Sequence, residues 1–310
     1  MQRILSRGEI EQLDRTRVPT LYPPQKEQVF ARRATRLRAL AEHSTIRSYL
    51  LLMAHVADAQ QALLLQPYSI AAPTKQPSLG QLCMQPRDPI WRTLLKDLLV
   101  RLTERPADWG PEVDSSEFYA VIEQLSTTLA AHPEHIDALA DQLIHQHIDA
   151  DTNLAWAPLI MAALQVYFTR LVVDHNLATE DATHKAPFGL CPCCGALPIA
   201  SVVKSTGASA GRRYMTCSLC ATEWHIVRVT CSHCESTEKI QYFSLEQGNE
   251  AIRAEACGRC NNYRKIFYQE KDAQVEALAD DLNSIELDML MGQEGFYRIN
   301  DNPFLWLPRE

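Results

Sequence analysis

Nine of the ten cysteines in this 310-residue chain lie between Cys191 and Cys260. Eight of them form four C-x2-C pairs: Cys191/Cys194, Cys217/Cys220, Cys231/Cys234 and Cys257/Cys260. Twenty-two residues separate Cys194 from Cys217, and 22 separate Cys234 from Cys257. The whole pattern repeats with a period of 40, and Arg213/Arg253 and Ile226/Ile266 match at the same offset. An internal duplication is the simplest explanation. A C-x2-C turn points two thiolates at one ion while backbone N–H groups inside the turn donate to the sulfurs. Two such turns close a tetrahedral shell of four sulfurs. The expected ligands are therefore Cys191, Cys194, Cys217 and Cys220 in one site, and Cys231, Cys234, Cys257 and Cys260 in the other. A cross-brace between the repeats is the competing grouping. Iron and zinc both accept four thiolates, so the ligand set leaves the metal open between them.

Disulfides fit this pattern less well, because the spacing is of the metal-binding type and no secretory signal accompanies it. A thioredoxin-like C-x2-C would need a βαβ context, which is not visible. Of the two remaining cysteines, Cys193 reads as a spare loop thiol or an alternative ligand, and Cys83 as a loop or core residue. His233 sits inside a knuckle and His225 close by, yet four cysteines already fill each shell, so both read as bystanders. His132, His135, His145 and His147 read as helix surface rather than a cluster.

The elements that must position these cysteines fall into two textures. Residues 1–176 read as an all-helical domain of five to seven helices. Val29, Leu37 and Leu40 repeat at helical spacing. Ser44 is the expected N-cap of a helix ending before Pro67. Residues 67–90 carry five prolines and read as a loop. Trp91, Leu94, Leu95, Leu98 and Leu102 share one helical face. Asp114 or Ser115 is expected to cap a fourth helix, and residues 134–148 and 154–176 give two more, with Pro158 in the first turn of the last or bending it. Residues 177–190 read as a linker. Between 191 and 270 the β-branched and aromatic runs IASVVK, RRYMT, EWHIVRV, IQYFSL and KIFYQ read as strands. They divide into ribbons over 191–230 and 231–270, each too small to hold its fold without a metal. Residues 271–310 read as one helix over 272–291 and a partly apolar tail. The expected fold is α+β: an N-terminal all-α domain, two tandem rubredoxin-like or zinc-ribbon four-cysteine domains, and a C-terminal helix.

The net charge of −8 argues against a surface devoted to nucleic acid or anionic lipid. From 191 to 270, nine Lys and Arg face seven Asp and Glu. Eight thiolates on two divalent ions would bring that module to about −2, far from a basic footprint. No P-loop or nucleophile-elbow motif is present. No run reaches 18 apolar residues, so no membrane insertion is expected. The N-terminal stretch has neither an apolar h-region nor a twin arginine, and a cytoplasmic chain is expected.

The stretch CPCCG…RYMTCSLCATEWHIVRVTCSHC…EACGRCNNYRKIFYQEKDAQVEALADDL resembles the FdhE family of formate dehydrogenase accessory proteins. Its most distinctive pieces are Glu223–Val229, Tyr268–Asp272 and Asn302–Leu305. Arg32-Arg33-Ala34 and Arg36-Leu37-Arg38 fit more weakly. The resemblance implies a cytoplasmic maturation factor that is not an enzyme. It would act on the molybdenum-containing catalytic subunit of respiratory formate dehydrogenase before export by the twin-arginine route. It also implies rubredoxin-like iron at the eight motif cysteines. The competing readings are a nucleic-acid-binding ribbon protein and a one-electron carrier. A homo-oligomer is compatible with the pattern. The Glu223–Val229 strand, with Trp224, His225 and Arg228, is either a docking surface or packs against the helical half.

Overall fold

The computed structural model describes residues 18–73, 81–104, 115–149, 152–179, 182–183, 186–246 and 248–306. In the first half the described helices are α1 (Val29–Ala41), α2 (Arg47–Leu64), α3 (Ile90–Glu104), α4 (Ser116–Ala131), α5 (Pro133–His145) and α6 (Ala157–Asp174). Helix α6 is buried on every side from Ala157 to Val172, because its sequence is apolar all round. Helices α2, α3 and α5 pack around it. Its length and composition would also suit a membrane span, which the expectation drawn from apolar runs did not anticipate, but 83% of it is buried inside the protein. Pro158 lies in its first turn, where a missing N–H costs nothing.

Two cap expectations need correction. Helix α2 starts at Arg47 with Ile46 as its N-cap, and Ser44 Oγ instead accepts the Ile46 N–H at 3.3 Å. That local turn satisfies the hydroxyl before the helix begins. Ser115 holds the N-cap position of α4 but makes no side-chain cap bond, and Asp114 lies outside the described residues. Among its described residues the proline-rich loop forms a 3-10 turn at Leu82–Met84.

The strands are β1 (Leu21–Tyr22), β2 (Pro198–Val203), β3 (Arg213–Cys217), β4 (Glu223–Ile226), β5 (Ile240–Phe243), β6 (Ile252–Cys257), β7 (Asn262–Tyr268) and β8 (Tyr297–Arg298). Strands β2–β4 and β5–β7 are two antiparallel meanders. The duplication is visible in their register, since Arg213 pairs with Ile226 as Arg253 pairs with Ile266. The meanders are joined into one sheet of order β1-β4-β3-β2-β7-β6-β5 by a parallel pairing of β2 with β7. Strand β8 pairs with the N-terminal end of β7. A buried ion pair spans the joint, with Arg213 NH1 2.7 Å from Glu255 Oε1. The expected strand over 223–229 ends at Ile226, and Val229 takes a left-handed φ of 58° as the chain turns into the second ribbon.

The expected helix over 272–291 is two helices, α7 (Ala277–Asn283) and α8 (Ile285–Gln293). Ser284 breaks them. Its hydroxyl donates to Asp280 O at 2.7 Å, and Lys265 Nζ on β7 donates to the carbonyls of Asp281 (2.8 Å) and Ser284 (2.9 Å). A buried lysine thus takes up carbonyls that a continuous helix would use internally. Helices α7 and α8 cover an apolar sheet face built from Ile199, Val202, Ile252, Tyr263 and Phe267, with Leu287 and Met291.

Candidate metal centres

Each C-x2-C turn sits where the chain enters or leaves a strand, and in all four the residue after the second cysteine is left-handed. These are Gly195 (φ 86°), Ala221 (58°), Glu235 (61°) and Asn261 (56°). Three of the four are not glycine, so the metal-binding turn rather than backbone freedom imposes the conformation. The turns close with backbone bonds from Gly195 N to Cys191 O (2.9 Å), Glu235 N to Cys231 O (3.1 Å) and Asn261 N to Cys257 O (2.8 Å).

The eight cysteines gather as two self-contained sets, Cys191/Cys194/Cys217/Cys220 and Cys231/Cys234/Cys257/Cys260, with all sulfurs of a set within 4.8 Å of one another. In the first, Cys191 Sγ lies 3.6 Å from Cys220 Sγ and Cys194 Sγ 3.4 Å from Cys217 Sγ. In the second, Cys231–Cys260 and Cys234–Cys257 are each 3.7 Å apart. Four sulfurs held about 2.3 Å from a central ion would lie about 3.8 Å apart along a tetrahedral edge. The donor set therefore fits one tetrahedral ion per cluster. Backbone N–H groups of Leu219 and Cys220 reach Cys217 Sγ at 3.4 Å, and those of His233 and Cys234 reach Cys231 Sγ at 3.4 and 3.5 Å. Such bonds stabilise thiolate over thiol.

Without a cation the clusters cannot ionise fully. Burial pushes the thiols of Cys194 and Cys217 well up. Burial opposes ionisation of Cys191 too, but hydrogen bonds from Cys193, Cys194, Cys217 and Cys220 converge on it and hold it well below the ordinary thiol range. In the second cluster burial pushes Cys231 up to about 12. Burial also acts on Cys257, where N–H groups of Cys260 and Arg259 and the thiols of Cys234 and Cys231 outweigh it and lower the pKa. A divalent ion would supply the positive charge that ionisation of thiols such as Cys194, Cys217 and Cys231 needs against this burial.

The two clusters differ in setting. All four cysteines of the first are buried within the main apolar core, beside Ala196, Met215, Leu219, Trp224 and Ile226. The helical half pins its knuckles: Gln165 Nε2 on α6 donates to Ser218 O at 2.7 Å, and Cys83 N donates to Cys194 O at 2.8 Å. In the second cluster Cys234 and Cys260 are partly exposed.

Cys193 lies outside both sets and is fully buried, its thiol 3.8 Å from Leu177 O, so it is a core residue and not an open loop thiol. Cys83 is buried against the first cluster through its bond to Cys194, a proximity with no trace in spacing because 108 positions separate Cys83 from Cys191. His233 contributes its backbone N–H and His225 packs edge-on to Tyr214, 5.6 Å between centroids; neither ring joins a cluster. His132 and His135 are exposed, and His145 Nε2 meets Met84 Sδ at 2.9 Å. Trp224 is buried in the core shared with the helices, whereas Arg228 is exposed and donates to Gly211 O at 3.5 Å.

A cleft of about 430 Å³ between helices and sheet is lined by Tyr22, Arg32, Lys204, Thr216, Glu223 and Glu276, among others. Lys204 is paired to Glu223 at 2.7 Å and Glu276 to Arg33 at 3.1 Å.

Comparison with known proteins bears on this arrangement directly. Family models for the FdhE N-terminal, central and C-terminal domains match residues 18–180, 190–228 and 229–305. The chain belongs to the FdhE family. A protein FdhE homolog of Cronobacter sakazakii is 39% identical over 320 residues, covering 98% of this chain and 97% of that protein. Protein FdhE of Salmonella dublin is 39% identical over 312 residues, covering 96% and 95%. The crystal structure of the FdhE protein from Pseudomonas aeruginosa superposes with a TM-score of 0.76 at 35% identity, covering 93% of this chain and 99% of that one.

The FdhE-like segments outside the cysteines form a clasp between helices and sheet. Arg36 on α1 donates to Asp280 through Nε (2.9 Å) and NH2 (2.6 Å), and to Asp272 at 2.6 Å. Arg33 pairs with Glu276 and donates to Gln165 Oε1 at 3.2 Å. Asn302 donates to Leu278 O (3.1 Å) and Asp281 Oδ2 (2.8 Å), and Tyr49 OH donates to Phe304 O.

Proposed function

We propose that this chain is a cytoplasmic, non-catalytic accessory factor required to mature respiratory formate dehydrogenase, binding the catalytic subunit before export. Membership of the FdhE family over nearly the whole length carries the reading. The helix–sheet joint favours a scaffold: its buried charges are paired, Arg33 with Glu276 and Arg36 with Asp280. Each cluster holds one ion, iron in our reading and zinc as the substitute that the same ligands accept. The ligands are Cys191, Cys194, Cys217 and Cys220 in the first site, and Cys231, Cys234, Cys257 and Cys260 in the second. When bound, rubredoxin-like iron supplies a one-electron couple, while the protein supplies buried sulfurs, N–H donors and a fixed tetrahedral shape.

Affinity capture of the full chain from cells making formate dehydrogenase tests the reading. The unexported catalytic subunit should co-purify, and deletion of the chain should abolish formate dehydrogenase activity while leaving synthesis of the subunit intact. Normal activity in the deletion strain would refute it.

A further inference from the structure

The duplicated clusters are chemically the same but differently enclosed. We propose that the second four-cysteine site is an exchange site, open to an incoming thiolate at Cys234 and Cys260, and that the first is a closed site that holds the fold. The proposal rests on both clusters holding metal.

Two observations carry it. Enclosure comes first: Cys191, Cys194 and Cys220 are 0% exposed and Cys217 2%, whereas Cys234 and Cys260 reach the surface. The pinning differs too. The first cluster is held by α6 and the 3-10 turn through Gln165 and Cys83, so it opens only if the helical core loosens. The knuckles of the second are held from within the sheet half, by Arg264 Nε to Ser232 Oγ at 3.0 Å and Asn262 Nδ2 to Cys260 O at 3.0 Å. Opening there is local, and local openings are far more frequent than global ones.

The ligand class that a four-thiolate shell accepts is a further thiolate, from a small molecule or a protein partner. The exchange would need no oxidant: the incoming thiolate sulfur would bond to the ion as the bond to Cys260 Sγ breaks, and the released Cys260 thiolate would take a proton from solvent.

The test uses the full chain loaded with zinc, challenged with excess 4-(2-pyridylazo)resorcinol and followed by absorbance, with and without glutathione. Loading should reach two zinc per chain. Release should then occur in two phases of equal amplitude with rates at least tenfold apart, glutathione accelerating only the fast one. Low urea should accelerate only the slow phase, because that ion waits on core opening. Cys260→Ser should delete the fast phase and retain the slow one. In the unaltered chain, brief N-ethylmaleimide treatment should label Cys234 and Cys260 ahead of all four first-site cysteines, a readout independent of whether the variant folds. Release of two ions in a single phase, or equal labelling of both clusters, would overturn the proposal. Loading with no metal would instead overturn the metal reading beneath it.

Discussion

Asn in place of Asp280 should loosen the joint between helices and sheet without touching either cluster. Asp280 is fully buried, Arg36 is 9% exposed, and the carboxylate accepts from Arg36 Nε and NH2 and from Glu276 N at 2.8 Å. Removing one partner of a buried pair strands the other charge, at about 3–5 kcal/mol. Asp272 stays 2.6 Å from the guanidinium and is 24% exposed, so the low end applies, about 3 kcal/mol. At roughly 2–4 °C per kcal/mol, the melting temperature should fall by about 6–12 °C. Burial pushes the Asp280 carboxyl up even with Arg36 beside it. The pair thus carries a large desolvation cost, and replacing both partners by Arg36→Met with Asp280→Leu should recover part of the loss, since the Asp272 carboxylate that also loses Arg36 is 24% exposed to water. The assay is urea and thermal unfolding of metal-replete protein by circular dichroism, with metal content measured on the same samples. An Asp280→Asn variant within about 0.5 kcal/mol of the parent, a level normal for surface changes, would refute the reasoning. So would a double variant no better than the single one.

Trp224→Ala should cost about 3–5 kcal/mol in urea unfolding, because the ring is buried in the core beside the first cluster. Arg228→Glu reverses an exposed charge; pull-down of the catalytic subunit should weaken while metal content and melting temperature stay nearly unchanged. Zinc uptake by apo-protein should release protons to a pH indicator, since Cys231 without metal is pushed up to about 12 and must lose its proton to bind. Protons compete with the metal, so occupancy should fall as the pH is lowered from 8 to 6 at fixed zinc.

The sites were legible because ligand chemistry constrains spacing. Two C-x2-C turns 22 residues apart leave room for one hairpin, and the 40-residue period favoured one cluster per repeat, the grouping in which the sulfurs gather, over a cross-brace. The strands followed from β-branched runs between the knuckles. Strand β1 and strand β8, two residues each, are too short to carry periodicity, and the β2–β7 pairing depends on tertiary packing that no local pattern encodes. The break at Ser284 was hidden for the same reason, as the group that takes its carbonyl, Lys265, is on another element. The partial burial of Cys234 and Cys260 against the full burial of their duplicates was likewise invisible. Sequence shows the repeat, whereas enclosure depends on which copy the helices cover.

The most direct measurement is metal content by mass spectrometry on anaerobically purified protein, for the parent chain and for Cys191→Ser and Cys231→Ser. Two ions per chain in the parent and about one in each variant are expected, because each substitution opens one closed shell. A parent chain without metal whose ten thiols all react with a thiol reagent after unfolding would contradict the account.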